Sequence, residues 1–347
     1  MSIVENTVNS SPAIVPPARD PRQASWQDSV KDAVRDPVEL CRLLSLPNSL
    51  ALAAARVAGN FPLFAPREYI ARMRPGDVGD PLLRQVLPLE DEQADVPGFA
   101  SDPVGDGAAT RTAGLLHKYH SRALMVTTGA CAVHCRYCFR RHFPYAAGPK
   151  SPAQWAEALK EISADGTLSE IILSGGDPLM LVDAHLQELA RRLAAIPHVR
   201  RLRIHTRLPL MIPSRVDDAL IAWLRGTRLT PVVVIHANHA RELEGPAVDA
   251  LARLADAGVP LLNQSVLLRG VNDDLDTLAE LCERLVDLRV IPYYLHQLDR
   301  VTGAAHFEVD EKRGHELVER LRSRLPGYAV PRYVRETAGA ASKTLLA

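Results

Sequence analysis

The chain has 347 residues, enough for one large α/β domain with an added segment or for two ordinary domains. Hydrophobic residues make up 47% and charged residues 24%, so a substantial core is expected. The 41 basic and 41 acidic residues cancel, which argues against a general nucleic-acid binder or a membrane-surface protein.

Residues 1–21 are rich in Ser, Pro and Asn and read as a loose tail. They lack the basic start and apolar core of a secretory signal. No run approaches the roughly 20 apolar residues that cross a bilayer, so a cytoplasmic protein without a membrane partner is expected. Residues 22–110 read as an N-terminal helical extension. Its Ala- and Leu-rich stretch 48–57 predicts a helix capped by Asn48 or Ser49. Shorter helices are expected at 67–73 and 81–87. Residues 88–110, acidic and broken by Pro and Gly, read as loop.

After His120 the pattern changes. Strand-length apolar runs at 123–128, 170–174, 201–206, 232–237, 261–268, 291–297 and 328–335 alternate with amphipathic helical stretches. Trp155, Leu159 and Ile162 share one helical face, as do Leu186, Leu189 and Leu193, and then Leu278, Leu281, Leu285 and Leu288. Such alternation predicts parallel strands joined by right-handed crossovers, and six or seven units suit a barrel or partial barrel. Chemistry in such folds sits at the C-terminal strand ends. The residues that stand there are the cysteines after the first strand, Ser174 to Asp177 after the second, Arg207 after the third, His236 and Asn238 at the fourth and Asp299 after the sixth.

Of five cysteines, Cys131, Cys135 and Cys138 form C-x3-C-x2-C. A tight triplet in a chain without a secretory signal points to metal rather than disulfides. Three thiolates can bind three irons of a cubane cluster and leave the fourth iron open to a substrate. The competing zinc site needs a fourth ligand, available from His134 or His142, but no second cysteine pair follows. Cys41 and Cys282 lie on helical faces and read as core thiols. In Ser174-Gly175-Gly176-Asp177, glycine permits close backbone approach, and exposed peptide groups can hold a charged amino acid moiety. On its own that motif is only a turn. Lys343, in a small-residue loop past a strand, has the chemistry to form a Schiff base with pyridoxal phosphate, although a lysine so near a chain end is more often solvated tail.

The triplet, with Tyr137 as the aromatic in C-x3-C-x-aromatic-C, resembles the signature of the radical S-adenosylmethionine superfamily. Residues 138–141, 261–274 and 291–299, together with Lys343-Thr344, resemble the lysine 2,3-aminomutase family in order and spacing, over about 115–344. The run Cys-Phe-Arg-Arg-His-Phe-Pro from Cys138, and an end four residues after Lys343, are most similar to the branch that serves β-lysylation of elongation factor P. The resemblance implies a partial (β/α)6-type TIM-like barrel over 111–347, including a C-terminal segment with the pyridoxal phosphate lysine. It implies an isomerase that converts (S)-α-lysine to (R)-β-lysine with a [4Fe-4S] cluster, S-adenosylmethionine and pyridoxal phosphate. An electron donor such as flavodoxin or ferredoxin is implied as partner; oligomeric state is left open.

Residue by residue, the resemblance assigns Lys343 to the pyridoxal cofactor, with Lys118, Tyr119 and Arg122 around its phosphate and ring. Ser174, Gly175, Gly176, Asp177, His236 and Gln264 fall around S-adenosylmethionine. Arg140 falls to the substrate carboxylate, for which a guanidinium fork is suited. Asp299 and Glu336 fall to the ε-ammonium, with Glu336 standing where the catabolic enzymes have aspartate. Two alternatives stand beside this: an aminomutase for glutamate or another amino acid, and a zinc- or cluster-bearing binding protein without catalysis. Paired acids at Asp299 and Glu336 favour a cationic substrate end.

Overall fold

A computed structural model of the chain describes residues 25–59, 61–149 and 151–347, so the tail read at 1–21 lies outside the described residues. Ten strands form one sheet in sequence order: β1 (Thr110–Thr112), β2 (Leu115–Tyr119), β3 (Arg122–Thr128), β4 (Glu170–Gly175), β5 (Arg201–Thr206), β6 (Thr230–Ile235), β7 (Leu261–Val266), β8 (Ile291–His296), β9 (Arg332–Arg335) and β10 (Thr344–Leu345). Neighbours from β3 to β9 are parallel. The outer pairs β1–β2, β2–β3 and β9–β10 are antiparallel. The edges are β1 and β10, which makes the barrel a partial one.

Strand alternation explains why the interior is polar. In β4, Ile171 and Leu173 are buried against the helical layer, while Glu170, Ile172 and Ser174 line the inner cavity. In β5, Leu202 and Ile204 face the helices, and Arg203 and His205 face inward. The helices bury the expected stripes. Asp274 caps Leu275–Asp287 through Thr277 N at 2.9 Å, and that helix buries Leu278, Leu281, Cys282 and Leu285. Cys41 is buried on its own helix, as expected of a core thiol.

Three expectations are corrected. Helix Asn48–Val57 has Pro47 at its cap position and no side-chain cap bond, because Asn48 and Ser49 already lie within the helical turn. The last parallel strand is shorter than read, since Gly327–Ala329 forms a 3-10 turn before it. The stretch read as loop contains a 3-10 turn at Glu90–Gln93 and a short helix at Asp106–Ala109 that leads into β1. The N-terminal helical pieces share the main core: Tyr69, Leu82 and Leu83 belong to the same apolar cluster as Leu210 and Met211. Asp80 receives Arg241 at 2.7 Å, which fastens the extension beside the ends of β5 and β6. No helix among the described residues is long and apolar enough to cross a membrane.

Candidate active site

A cavity of about 730 Å³ opens at the C-terminal ends of the parallel strands, and every residue that the resemblance assigned to cluster, cofactor or substrate lines it, whereas His142, a candidate zinc ligand, does not. They come from β2 and β3, the turn after β3, the ends of β4, β6 and β7, the segment after β8, and the chain beyond β9.

The three cysteines leave β3 on a segment held from outside by the N-terminal extension. His134 N donates to Phe64 O at 3.0 Å and Arg136 N to Gln85 O at 2.8 Å. The Arg136 side chain meets Glu92 at 2.8 and 2.5 Å and Phe61 O at 2.6 Å, and Arg141 meets the same Glu92 at 2.7 Å. Burial would raise the Glu92 pKa, but the two guanidiniums outweigh it and hold the carboxyl below its ordinary value. Glu92→Gln therefore strands two buried cations, and a loss of about 3–5 kcal/mol of folding stability is expected in denaturant melts. A loss under about 1 kcal/mol contradicts this role.

Arg207, just past β5, donates to Cys135 Sγ at 2.7 Å and to the Tyr137 hydroxyl at 2.8 Å, and pairs with buried Glu242 at 2.5 Å. It sets a fixed cation against one thiol. Burial, followed by the neighbouring Cys135, pushes the Cys138 thiol up to about 11. Burial and the Cys138 charge push Cys131 well above its ordinary value. Cys131 and Cys138 therefore resist ionising, and bound iron would supply the missing positive charge. His134 and His142, the fourth-ligand candidates for zinc, each turn a ring nitrogen to a carbonyl elsewhere: Pro62 O at 2.8 Å and Thr302 O at 3.0 Å. Among the described residues no three His, Cys, Asp or Glu side chains converge on a single-ion site. A cubane needs no such convergence, because each thiolate takes a different iron. Three thiols without a fourth fit a cluster that keeps one iron open.

The glycine loop lines the cavity and also packs closely against the chain that leaves β3. Gly175 has φ +120°, and a Cβ there would stand 2.6 Å from Thr128 O. A Cβ on Gly176 would strike Ala130 O. One side of each glycine packs against the end of β3 or the backbone just after it, and both glycines also line the cavity. Gly176 N and Asp177 N bind Thr128 O and Ala130 O at 2.8 Å each. The Asp177 carboxylate is taken up by the protein: it accepts from Thr206 Oγ1 at 2.8 Å, Arg207 N at 2.7 Å and Leu179 N at 3.0 Å. Burial lifts its pKa to about 6 against those bonds.

At the other end, Lys343 is not solvated tail. Its Nζ pairs with Glu336 Oε2 at 2.5 Å, and its side chain is 22% exposed. The pairing of β10 with β9 fixes it, with Leu346 N on Tyr333 O at 2.8 Å and Tyr333 N on Ala347 O at 2.9 Å. Glu336 also accepts from the Tyr119 hydroxyl at 2.6 Å. The Arg122 guanidinium lies over the Tyr119 ring at 4.6 Å. Asp299, by contrast, makes no side-chain hydrogen bond or ion pair with the described residues. Burial raises its pKa to about 7, with Lys343 opposing and Glu336 adding to the rise.

His236, at the end of β6, meets His205 at 3.2 Å, and burial drops its pKa to about 3. His205 and His296 are also held neutral by burial. Their buried Nε2 atoms find no partner among the described residues, on a wall shared with Gln264. Unpartnered polar atoms facing a cavity fit a polar ligand. Asp106, Glu92, His205 and His296 were missed in the sequence, and Arg207 was noted without a role. The inward alternation of β5 and β8 is a signal for the two histidines. Single acids in an acidic loop carry none.

Residues 125–282 match the Radical SAM superfamily model, so fold and thiol triplet define a radical S-adenosylmethionine protein. An L-lysine 2,3-aminomutase of Escherichia coli (strain K12) is 48% identical over 94% of this chain and 95% of its own length. An L-lysine 2,3-aminomutase of Clostridium subterminale is 33% identical over 94% of this chain and 79% of its own. A solved radical SAM methyltransferase from Sphaerobacter thermophilus aligns with 65% of this chain and 71% of its own, at 22% identity and a TM-score of 0.43. The chain belongs to the L-lysine 2,3-aminomutase family.

Proposed function

We propose that the chain is an isomerase that converts (S)-α-lysine to (R)-β-lysine, using a [4Fe-4S] cluster on Cys131, Cys135 and Cys138, S-adenosylmethionine, and pyridoxal phosphate on Lys343. The observation that carries it is that one cavity joins three clustered thiols to a lysine from the far end of the chain. When bound, the cluster with S-adenosylmethionine supplies a carbon-centred radical, and pyridoxal phosphate supplies the π system that lets nitrogen migrate.

The chain's own residues bind, orient and exclude water. Arg140 takes the substrate carboxylate, Asp299 and Glu336 take the ε-ammonium, and the span between them sets substrate length. Lys118, Tyr119 and Arg122 hold the pyridoxal phosphate. The loop from Ser174 to Asp177, with His236 and Gln264, holds S-adenosylmethionine; for Asp177 the support lies in loop shape, not in its carboxylate. Use of the product in β-lysylation of elongation factor P, an electron donor such as flavodoxin or ferredoxin, and a cytoplasmic setting belong to the same proposal and rest on resemblance.

Composition tests it first. Reconstituted protein should hold about four irons, four sulfides and one pyridoxal phosphate per chain. One zinc and no pyridoxal phosphate would point to the binding protein instead. Selectivity tests the substrate: lysine should rearrange, and preference for glutamate would leave the two carboxylates unexplained. The pH dependence has a stated sign. A carboxyl with a pKa near 7 is neutral below that value and loses its hold on an ammonium. The KM for lysine should rise as pH falls from about 8 to about 6, and Asp299→Asn should flatten that dependence. An unaltered profile in the variant contradicts the assignment.

A further inference from the structure

Asp106 stands between two cations of the cavity wall. It is 2% exposed, and its two oxygens go to different partners: Oδ2 to Arg140 Nε and Oδ1 to Lys118 Nζ, each at 2.7 Å. Its own backbone is fastened, with Asp106 N and Gly107 N both donating to the Asp102 carboxylate at 2.9 Å. Burial opposes its charge, but Arg140 and Lys118 outweigh burial and keep the carboxyl ionised, below its ordinary range.

The geometry has a consequence on each side. A guanidinium grips a carboxylate best through a pair of N–H groups in one plane. By taking Nε, Asp106 leaves the Nη1–Nη2 end of Arg140 for a ligand, and Nη1 already points at Ser174 Oγ, 3.2 Å away. On the other side, Lys118 has two anions in reach: Asp106 at 2.7 Å and Glu336 at 3.6 Å. Asp106 and Val104 O, at 2.8 Å, hold the ammonium away from Glu336, which stays with Tyr119 and Lys343. The wall thus alternates in charge from Arg140 through Asp106, Lys118 and Glu336 to Lys343.

We propose that Asp106 is a positioning residue that sets Arg140 for the carboxylate of the amino acid substrate and Lys118 for the phosphate of the pyridoxal cofactor at the same time. This rests on the function proposed above. It also makes a prediction opposite in sign to charge alone. Removing Asp106 adds a net positive charge beside two anion sites, which by Coulomb attraction alone tightens both ligands. Loss of positioning weakens both.

The test is Asp106→Asn in the full chain, with three readouts: pyridoxal phosphate affinity by absorbance titration, the KM–kcat split for lysine, and the melting temperature. The titration needs no turnover. We expect the pyridoxal phosphate Kd and the lysine KM to rise about tenfold each, with kcat within about threefold of wild type. Lys118→Ala should weaken the cofactor alone and Arg140→Lys the substrate alone, so that only Asp106 couples the two. Unchanged or tighter binding of either ligand in Asp106→Asn overturns the inference. If that variant does not fold, Asp106→Glu keeps the charge but displaces it by one methylene, and the same double weakening is expected. Wild-type affinity for both ligands in Asp106→Glu overturns the inference. If the wild-type chain itself binds neither lysine nor pyridoxal phosphate, the proposed function fails instead.

Discussion

Lys343→Ala is expected to abolish rearrangement and remove the visible absorption of lysine-bound pyridoxal phosphate, with iron and sulfide content at the wild-type level. The effect on turnover is roughly a thousandfold or more, the scale on which loss of a covalent anchoring group is felt. The structural reason is the isolation of the side chain. Lys343 reaches the cavity only because β10 pairs with β9, and its ammonium is matched by Glu336 at 2.5 Å. The Lys343 amine and the thiol triplet stand apart on one wall, linked through Glu336, Lys118, Asp106 and Arg140. Removing the amine therefore leaves the cysteine segment and its supports, Glu92 and Arg207, untouched. Iron loss in Lys343→Ala, measured by metal analysis, contradicts that separation. An unchanged cofactor spectrum contradicts the assignment of the lysine.

Cys135→Ala is the mirror case. Iron content should fall to background and rearrangement should be lost on the same roughly thousandfold scale, with absorption of lysine-bound pyridoxal phosphate persisting. Cys135 is the thiol on which Arg207 closes, so the substitution also leaves that guanidinium with Tyr137, Gln85 and Glu242 as its remaining partners. Arg207 retains an anion in Glu242, and the fold is expected to hold, with a melting temperature near that of wild type. Full iron content in Cys135→Ala, measured after anaerobic reconstitution, removes this cysteine from the ligand set. Together the two variants dissect the cavity: each should lose one group and keep the other.

The parallel core was legible in the sequence because its signals are periodic. The runs that became β3 to β8 are apolar stretches of strand length, alternating in burial on a two-residue period in β5 and β7, and the helices between them repeat their leucines on the helical period. The cysteine triplet was legible because its ligands are local. The antiparallel strands outside that core were not. β10 is two residues long and exposed on both, and β2 is fully buried only at Leu115 and Leu116, so neither has a pattern to read. Asp106 and Glu92 were hidden for another reason: each acts on a residue far along the chain. Asp106 meets Arg140 across 34 residues, and Glu92 meets Arg136 and Arg141 across 44 and 49. Nothing in the local composition of an acidic loop separates such an acid from a solvated one. The glycines at 175 and 176 show the converse. Their necessity was visible, but the backbone of residues 128–130 packed against them was not, because close approach by backbone and by ligand demand the same residue. Lys343 could be raised above a solvated tail only by resemblance; the packing of β10 gives that position its physical basis.

The central claim is that thiol triplet and terminal lysine serve one reaction on one amino acid. The direct measurement is anaerobic incubation of the reconstituted protein with a reductant, S-adenosylmethionine, pyridoxal phosphate and (S)-α-lysine, followed by chiral analysis of the amino acids. (R)-β-lysine should form, only when both cofactors are present, and should vanish in Lys343→Ala and in Cys135→Ala. Recovery of unchanged lysine alongside rearrangement of a different amino acid, or β-lysine formed without pyridoxal phosphate, contradicts it.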